Sequence, residues 1–268
     1  MVNLTRIYTR TGDAGMTRLS DMSETAKTDL RVEAYGAVDE ANSILGMVVT
    51  QPDLPEDVRA VLRHIQNELF DAGADLSFPL VADPPYEPLR IVQASIDRLE
   101  GWCDAFGDPL PALRSFILPG GSFTAALLHQ ARSVVRRAER EAWRAAEQYG
   151  TEPAERPFAT DAGGTGNRNP ARRVDEGSEE SKLRDRAEGE PATTAGGVNP
   201  LAITYLNRLS DLLFILARVV GQEAGDVLWV PGADRTPSDP SGVRQRRRLI
   251  TEPSTTHGRV KAGPYAAN

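Results

Sequence analysis

One stretch of the chain, GGSFTAALLHQARSVVRRAERE at residues 120–141, carries charged side chains in a helical pattern. Four polar side chains recur at intervals of three, four and three residues, on one face of a predicted helix: His129, Arg132, Arg136 and Glu139. Arg137 and Arg140 add further cations, which repel one another unless an anion faces them. Guanidinium forks match phosphate oxygens, so one interpretation is a polyphosphate site. The alternative is a solvated helix face on which Arg136 and Glu139 form an ion pair.

Polar residues on two other predicted helices could complete such a site. Asp39 is placed to pair with an arginine, or else to be exposed beside Glu40. Asn207 and Asp211 lie four residues apart within a strongly apolar segment, where polar groups need hydrogen-bond partners. Those partners are either structural, on a neighbouring helix or at Tyr205, or they belong to a ligand.

The N-terminal stretch YTRTGDAG, residues 8–15, combines two glycines, two threonines, an arginine and an aspartate. It is either a surface turn or a loop that holds phosphate. The chain contains neither G-x-x-x-x-G-K-[ST] nor a G-x-G-x-x-G between a strand and a helix, so no familiar motif decides between the two. Gly12 and Gly15 would allow backbone N–H groups to approach a phosphate, as in an anion-binding nest.

The sequence predicts no protein-bound metal site of a familiar type. A di-iron bundle needs Glu-x-x-His on two helices, but Val61, Ala126 and Ser254 stand three residues before the three histidines. One cysteine and three scattered histidines give no zinc pattern either. The cysteine, Cys103, lies on the apolar stripe of its predicted helix, which favours packing over a nucleophilic role.

Apolar residues at helical spacing predict five helices, at residues 30–49, 56–76, 89–106, 122–148 and 200–220. Leu89 and Val92 are expected on the buried stripe of the third helix. Pro55 is suited to opening the second helix, Ser122 to capping the fourth, and Pro200 to the first turn of the fifth. Convincing strand patterns are missing, so the predicted fold is an all-α, five-helix antiparallel bundle.

Residues 1–235 are predicted to form this bundle, with a disordered insert at 150–197 and a disordered tail at 236–268. The large apolar residues of the insert are Phe158, Val174 and Leu183, too few to offset the entropy of ordering. GGTGNRN at residues 163–169 lacks a flanking strand and helix, so it is interpreted as linker. The arginine cluster at residues 244–248 could contact an anion or a partner, but a solvated tail is favoured.

Composition limits the partners and the compartment. A net charge of -7 with a pI near 5.2 argues against a general nucleic-acid binder, which would carry a basic patch. A single cysteine cannot form an internal disulfide, so a reducing, cytoplasmic location is expected. The start of the chain, MVNLTRIYTR, has no apolar signal region, and no stretch approaches the roughly 18 apolar residues of a membrane span.

Several long motifs in order give the chain a family resemblance. It resembles the ATP:cob(I)alamin adenosyltransferases of the propanediol-utilization (PduO) type. The matching segments, which run in order over roughly residues 6–235, are YTRTGDAGMTRL at 8–19, DLRVEAYGAVDEANSILG at 29–46, LFDAGADL at 69–76, FILPGGS and ARSVVRRAER within 116–140, YLNRLSDLLFILAR at 205–218 and VLWVPG at 227–232. The predicted insert and tail depart from the family pattern.

The resemblance implies a bundle that assembles as a homotrimer with active sites between subunits. It implies transfer of the 5′-deoxyadenosyl group of ATP to cob(I)alamin, or to the corrinoid cob(I)yrinic acid a,c-diamide, with release of triphosphate. Mg²⁺ would accompany the ATP, a flavin-type reductase would supply the electron, and an adenosylcobalamin-dependent mutase would use the product. The alternatives are a non-catalytic carrier of adenosylcobalamin, and a non-catalytic helical scaffold or nucleotide sensor.

Matched by position, the resemblance also assigns site residues. The loop around the triphosphate would consist of Thr9, Arg10, Thr11, Gly12, Asp13, Gly15 and Thr17, with Lys27 from further along. The residues that hold ATP on the helices would be Arg132, Arg136, Arg137, Glu139 and Asn207. Asp39 would pair with Arg132 across the subunit boundary, and Phe116 would lie against the lower face of the corrin ring. Because cob(I)alamin is a strong nucleophile, this reaction needs alignment and charge neutralisation rather than a general base.

Overall fold

The computed structural model describes residues 8, 10, 12–84, 86–155 and 196–235. These residues form five α-helices, namely α1 (Leu30–Val49), α2 (Glu56–Ser77), α3 (Gln93–Gly107), α4 (Phe123–Tyr149) and α5 (Pro200–Val220). A short antiparallel hairpin of β1 (Met16–Arg18) and β2 (Glu24–Ala26) precedes α1. The chain divides into two compact units, Met1–Leu228 and Trp229–Asn268. All of the helices and strands just named lie in the first unit, and the second contains a 3₁₀ turn at Gly232–Asp234.

Side-chain contacts show that α1 and α2 run in opposite directions. Asn42 near the middle of α1 donates to the Gln66 carbonyl of α2 at 3.0 Å. Arg31 at the start of α1 contacts the carbonyl of Leu76 at the end of α2. The same pattern relates α1 to α4, because Glu40 pairs with Arg137 whereas Asp29, before α1, accepts from Tyr149 at the end of α4.

The remaining helices continue this alternation. On α2 and α3, Glu68 pairs with Arg98, and His64 contacts the Trp102 ring edge-on. On α4 and α5, Asn207 donates to Glu139 at 3.1 Å. α3 and α5 run in the same direction. Successive helices therefore alternate in direction, and the prediction of a five-helix antiparallel bundle is confirmed.

The apolar stripes meet in one core, in which Leu45 of α1, Leu62 of α2, Leu128 of α4 and Leu213 of α5 are fully buried. Burial of such side chains is the main stabilising term of the bundle. Within the described part of the chain, α5 is the one helix long and apolar enough for a membrane span, with a mean hydropathy of 1.2. Over half of that window, 56%, is buried inside the bundle, as expected of a core helix.

Two of the predicted helix starts are confirmed by their hydrogen bonds. The Ser122 hydroxyl accepts from the Ala125 N–H at 3.0 Å and caps α4. Asn199 caps α5 by accepting from the Leu201 N–H, with Pro200 in the first turn as predicted. Pro55 directly precedes α2 without a side-chain cap.

The predicted start of the third helix at residue 89 is wrong, because α3 begins at Gln93. Leu89 is 62% exposed instead of lying on the buried stripe. The cause is a long-range contact: Arg90 donates to the Asp75 carboxylate at 2.6 Å and the Ile91 N–H donates to the same group at 2.8 Å. These bonds hold residues 90–91 against the end of α2, outside the helix, so α3 starts after them.

The hairpin was not predicted, and each of its strands has only three residues. Segments this short cannot show an alternating pattern. Its register pairs Thr17 with Thr25. Ser20, in the connecting turn, bonds to Ser77 at the end of α2, which attaches the hairpin to one end of the bundle.

The described residues extend into both ends of the predicted insert. Ala154 and Gly197 each pair with the segment after α2, at Val81 and Leu80 respectively. The carbonyls of Gly196 and Gly197 accept from the buried Arg31 guanidinium. The rest of the predicted insert, residues 156–195, and the predicted tail, residues 236–268, lie outside the described residues.

Candidate functional site

Arg132 and Arg136 form the arginine face of α4, and neither has an ion-pair partner among the described residues. Arg132 is half-buried and its guanidinium lies 5.4 Å from the centre of the Phe214 ring of α5. Burial, together with the charge of Arg136, lowers the pKa of Arg132. Arg136 is exposed one turn further on, and within the described ranges neither arginine forms an ion pair with a carboxylate. Two adjacent cations in this state favour an anionic ligand.

Arg137 differs from these two arginines because it is paired within the chain. Its guanidinium bonds to the Glu40 carboxylate of α1. Both side chains are about half exposed, so the pair contributes at most about 1 kcal/mol to stability. Its effect is geometric, since it joins the arginine face of α4 to the middle of α1.

Glu139 and Asn207 form a hydrogen-bonded pair beside the arginines. The Asn207 Nδ2 donates to Glu139 Oε1 at 3.1 Å, and Asn207 Oδ1 accepts from Arg208 Nη1 at 2.7 Å. Asn207 therefore has a structural partner on the neighbouring helix α4, whereas Tyr205 bonds to Glu68. Asp211, the other polar residue of this apolar helix, is exposed.

The glycine loop and Lys27 come together at the end of the bundle where the hairpin lies. The Lys27 N–H donates to the Gly15 carbonyl at 2.8 Å, and Gly15 adopts a φ of 83° that favours glycine. A Cβ on Gly12 would lie 3.1 Å from Lys27 Nζ, so the ammonium group is packed against the loop. Arg10 and Asp13 are exposed and Thr17 is half-buried on β1, whereas Thr9 and Thr11 lie outside the described residues.

Asp39 lies in a groove between α1 and α2 of about 340 Å³. Tyr35, Gly36, Phe70 and Gly73 line the same groove, and Phe70 is largely exposed. Arg132 lies on the other side of the bundle, against α5, so a single chain does not bring Asp39 and Arg132 together. Glu40 reaches α4 instead, because consecutive residues of a helix point about 100° apart.

Phe116 stands at the opposite end of the bundle and is 80% exposed. Its loop is attached to the segment after α5, since the Leu118 N–H donates to the Val227 carbonyl at 2.8 Å. Arg218 reinforces this attachment by donating to the Pro111 carbonyl at 2.7 Å and to Asp226 at 2.8 Å. The exposed ring is therefore held by an ordered loop, as a ligand-contacting group would be.

The predicted site residues lie at three levels along the bundle: the glycine loop at the hairpin end, the arginines of α4 in the middle and Phe116 at the opposite end. Tyr149 of α4 bonds to Asp29, close to Lys27, whereas Arg137 lies twelve residues earlier on the same helix, about 18 Å away at 1.5 Å per residue. The glycine loop and the arginine face are thus not adjacent within one chain. The described structure brings predicted site residues together in two places. Glu139, on the helix that carries Arg132 and Arg136, is bonded to Asn207, and the glycine loop is packed against Lys27.

Two contacts of predicted site residues were missed in the sequence, namely Glu40 with Arg137 and Arg208 with Asn207. Glu40 was considered only as a neighbour of Asp39, and Arg208 was not considered at all. Helical spacing gave no signal for Arg208, because residues next to each other on a helix do not share a face. Its length lets the guanidinium reach back to Asn207.

Cys103 is not a reactive group. Burial and the neighbouring carboxylate of Asp211 raise the pKa of its thiol to about 11, so it is protonated at neutral pH. The described residues also contain no group of three or more His, Cys, Asp or Glu side chains that could hold a metal ion. The fold and the site define a class of protein, the helical bundles with an arginine-bearing face suited to an anionic ligand.

Comparison with known proteins narrows this class. The family model described as cobalamin adenosyltransferase matches residues 7–159 and 182–220. The corrinoid adenosyltransferase of Mycobacterium tuberculosis is 51% identical over 237 residues, 88% of this chain and 99% of that protein. The cobalamin adenosyltransferase of Cupriavidus metallidurans is 41% identical over 228 residues, 84% and 95% of the two chains.

A solved structure agrees with these relatives. A variant PduO-type ATP:corrinoid adenosyltransferase from Lactobacillus reuteri, complexed with cobalamin and ATP, shares 29% identity at a TM-score of 0.59. The match covers 84% of this chain and 96% of that one. The chain belongs to the cobalamin adenosyltransferase family, as an enzyme of the PduO-type ATP:corrinoid adenosyltransferases. The resemblance drawn from the motifs is confirmed.

Proposed function

We propose that this protein transfers the 5′-deoxyadenosyl group of ATP to the cobalt of cob(I)alamin and releases triphosphate. The observation that carries the proposal is the pair of arginines, Arg132 and Arg136, that no carboxylate neutralises in the described structure, beside the bonded pair Glu139–Asn207. The Lactobacillus reuteri relative, solved with cobalamin and ATP, supports the choice of substrates.

The residues of the site suit the electron flow of this reaction. The electron pair of Co(I) forms a bond to C5′ of the ribose, the C5′–O bond breaks, and the triphosphate leaves with that bonding pair. No proton has to be removed from the nucleophile, so a general base is unnecessary. Negative charge grows on the leaving group, and preorganised cations near it lower the barrier.

We assign the roles on the helices by chemistry. Arg132 and Arg136 donate to phosphate oxygens, as their cationic state and lack of carboxylate partners favour. Glu139 can only accept hydrogen bonds when ionised, so it suits a hydroxyl or amine of the nucleoside. The bonds to Glu139 and Arg208 fix the orientation of the Asn207 amide, which lies beside Glu139 in the proposed ATP site. Arg137 pairs with Glu40 in the absence of ligand, and we assign it a contact with ATP that would replace this exposed ion pair.

The glycine loop and Lys27 form the second part of the proposed ATP site. The packing of Lys27 against Gly12 supports a shared role, since the loop itself contains no lysine and Lys27 supplies an ammonium group beside it. Backbone N–H groups near Gly12 and Gly15 would add donors to the triphosphate. Thr9, Arg10, Thr11 and Thr17 belong to this loop in the proposal, with Asp13 ordering it or lying near Mg²⁺.

Mg²⁺ would arrive with the nucleotide. This ion usually keeps several waters and binds through one or two carboxylates plus substrate phosphates rather than in an all-protein cage. Asp13 fits that mode, since it is a single exposed carboxylate in the glycine loop. The ion would neutralise charge on the triphosphate.

A homotrimer with sites between subunits would unite the separate parts. Within one chain Asp39 faces the α1–α2 groove and Arg132 faces α5, so an Asp39–Arg132 pair requires two chains. The groove itself suits a protein contact because it has an exposed aromatic residue, Phe70, and two glycines that permit close approach.

Phe116 would lie against the lower face of the corrin ring. Its exposure on an ordered loop supports a contact with an apolar ligand surface. By displacing the lower axial ligand, the phenyl ring of Phe116 would leave the cobalt four-coordinate and make its reduction to Co(I) easier. A flavin-type reductase in the cytoplasm would supply the electron, and delivery of the product to a mutase would follow.

A spectroscopic assay tests the proposal. Protein, ATP, Mg²⁺ and chemically reduced cobalamin are mixed, and conversion to adenosylcobalamin is followed by absorbance. We expect conversion by the wild type and strong loss in Arg136→Ala. Arg144→Ala should keep the wild-type rate, since Arg144 pairs with Glu141 and has no assigned contact with a substrate. Tight binding of adenosylcobalamin without any conversion would instead identify a carrier. Unchanged activity in Arg136→Ala would exclude the assigned site.

A further inference from the structure

Four side chains form a continuous hydrogen-bonded chain across three helices. Glu100 of α3 accepts from Arg208 Nε at 2.8 Å, and Arg208 Nη1 donates to Asn207 Oδ1 at 2.7 Å. Asn207 Nδ2 then donates to Glu139 of α4 at 3.1 Å. The chain begins outside the proposed ATP site and ends within it.

The chemistry of the four groups allows only one orientation of the Asn207 amide. A guanidinium only donates hydrogen bonds, and an ionised carboxylate only accepts them. The amide oxygen must therefore face Arg208 and the amide nitrogen must face Glu139. If Arg208 were lost, the amide oxygen would lose its partner, and only the bond to Glu139 would hold the Asn207 side chain in place.

We propose that Arg208, held by Glu100, is a positioning residue that fixes Asn207 and thereby Glu139 for nucleotide binding. This inference rests on the proposed function, in which Asn207 and Glu139 contact ATP. Arg208 itself need not contact the substrate. The fork geometry of a guanidinium suits the role, because Nε and Nη1 bind two different partners at once.

The Arg208–Glu100 ion pair is too exposed to act mainly by stabilising the fold. The Arg208 and Glu100 side chains are 39% and 50% exposed, and ion pairs at such positions add little to stability. The hydrogen bond to Glu100 raises the pKa of Arg208, so the group remains a cation at any working pH. Removing Arg208 should therefore change nucleotide binding much more than it changes folding.

The test compares Arg208→Met with Arg144→Met. Both substitutions remove an arginine that is paired with a glutamate, but Arg144 has no assigned contact with either substrate or with Asn207. We expect Arg208→Met to raise the KM for ATP about fivefold to tenfold, the equivalent of one misplaced hydrogen bond. The KM for cobalamin and kcat should stay within twofold of the wild-type values. The melting temperature should equal that of the wild type within error. Arg144→Met should leave all four unchanged.

Two further variants establish the route of the effect. Arg208→Lys keeps the charge but cannot bridge Glu100 and Asn207 with a fixed fork, so an intermediate KM is expected. The double variant Arg208→Met/Asn207→Ala should be no worse than Asn207→Ala alone, because both act through the same amide.

Three outcomes would overturn the inference. They are an unchanged KM for ATP in Arg208→Met, additive effects in the double variant, or a lowered melting temperature with normal kinetics. Its failure is distinguishable from failure of the proposed function. If Asn207→Ala raises the KM for ATP and Arg208→Met does not, only the positioning role is wrong. If Asn207→Ala and Glu139→Gln also leave ATP binding unchanged, the assigned ATP site is wrong.

Discussion

Lys27 and Gly12 are packed against each other across the opening of the hairpin. A Cβ on Gly12 would approach Lys27 Cε, Lys27 Nζ and the Met16 carbonyl, each at 3.1 Å. Such contacts are tighter than side chains normally make, and a flexible lysine would move before the backbone does. The glycine therefore leaves the space in which the ammonium group sits beside the loop.

Gly12→Ala should displace Lys27 and weaken ATP binding. The lysine must move by a few tenths of an ångström or rotate away, which weakens a charge-assisted contact with the triphosphate. We expect the KM for ATP to rise about tenfold, the equivalent of about 1.4 kcal/mol, with little change in the KM for cobalamin. Steady-state kinetics with each substrate varied in turn measures both values.

Gly101→Ala is the matched control. Gly101 lies on the exposed side of α3, and nothing lies within 4 Å of a Cβ built there. Alanine in an exposed helix position stabilises the helix, so normal kinetics and a slightly higher melting temperature are expected. Equal ATP affinity in Gly12→Ala and the wild type would show that the position of Lys27 beside the loop does not contribute to ATP binding.

Helix positions and caps were predictable because their determinants are local. The apolar period placed α1, α2, α4 and α5, and Ser122 bonds to Ala125 only three residues away. The start of α3 was not predictable, since it depends on Arg90 reaching Asp75, fifteen residues earlier in the chain. No periodicity reports a contact of this kind.

The site was predictable only along single helices. Spacing identified the group Arg132, Arg136 and Glu139, because all three lie on α4. It could not show that Glu40 rather than Asp39 would face α4, since that choice depends on how α1 is rotated in the bundle. It also could not show the bond between the consecutive residues Asn207 and Arg208, which needs a long side chain folded back along the helix.

Mixed trimers should recover activity from two inactive variants. Asp39→Ala and Arg132→Ala each lose the proposed pair in a homotrimer. A site with Asp39 from one chain and Arg132 from the next is intact whenever the two variants are neighbours in a trimer. We therefore expect activity to return when the two proteins are denatured together and refolded, or co-expressed.

The control for that experiment is a mixture of Arg132→Ala with Arg136→Ala. Both arginines lie on α4 of the same chain, within about 6 Å along the helix axis, so no mixed trimer restores a complete arginine face. Light scattering establishes the trimer in each preparation. No recovery from the Asp39→Ala and Arg132→Ala mixture would place both residues in the site of one chain or remove Asp39 from the site.

Phe116→Ala should slow adenosylation more than it weakens binding of ATP. Without the ring, the lower axial ligand can stay on the cobalt, which makes Co(I) harder to form. We expect kcat with enzymatically reduced cobalamin to fall at least tenfold, about 1.4 kcal/mol of barrier. The spectrum of bound Co(II) cobalamin should change from four-coordinate to five-coordinate.

Phe123→Ala tests whether this effect belongs to Phe116 alone. Phe123 is also an exposed aromatic residue, at the start of α4 at the same end of the bundle. It has no assigned contact with the corrin ring, so a normal spectrum and a normal kcat are expected. Equal losses in both variants would point to a general apolar surface rather than to a ring aimed at the cobalt.

His129 should make the stability of the bundle depend on pH below neutrality. The ring is buried on α4 beside Phe214, and burial, followed by the charge of Arg132, lowers its pKa below the ordinary 6.5. In the unfolded chain the imidazole keeps its ordinary pKa, so between the two values the unfolded state binds more protons. The contribution of His129 to the free energy of unfolding is therefore fully present above about pH 6.5 and is lost as the pH falls towards the folded pKa.

His129→Gln removes this group while keeping a polar side chain of similar length. Urea denaturation of both proteins at pH 5 and pH 7.5 gives the two differences in the free energy of unfolding. We expect a larger difference for the wild type than for the variant, because every other titrating group is common to both. The direction is fixed by the sign of the shift: if the wild type lost no more stability at pH 5 than His129→Gln, the buried histidine would already carry its proton in the folded state.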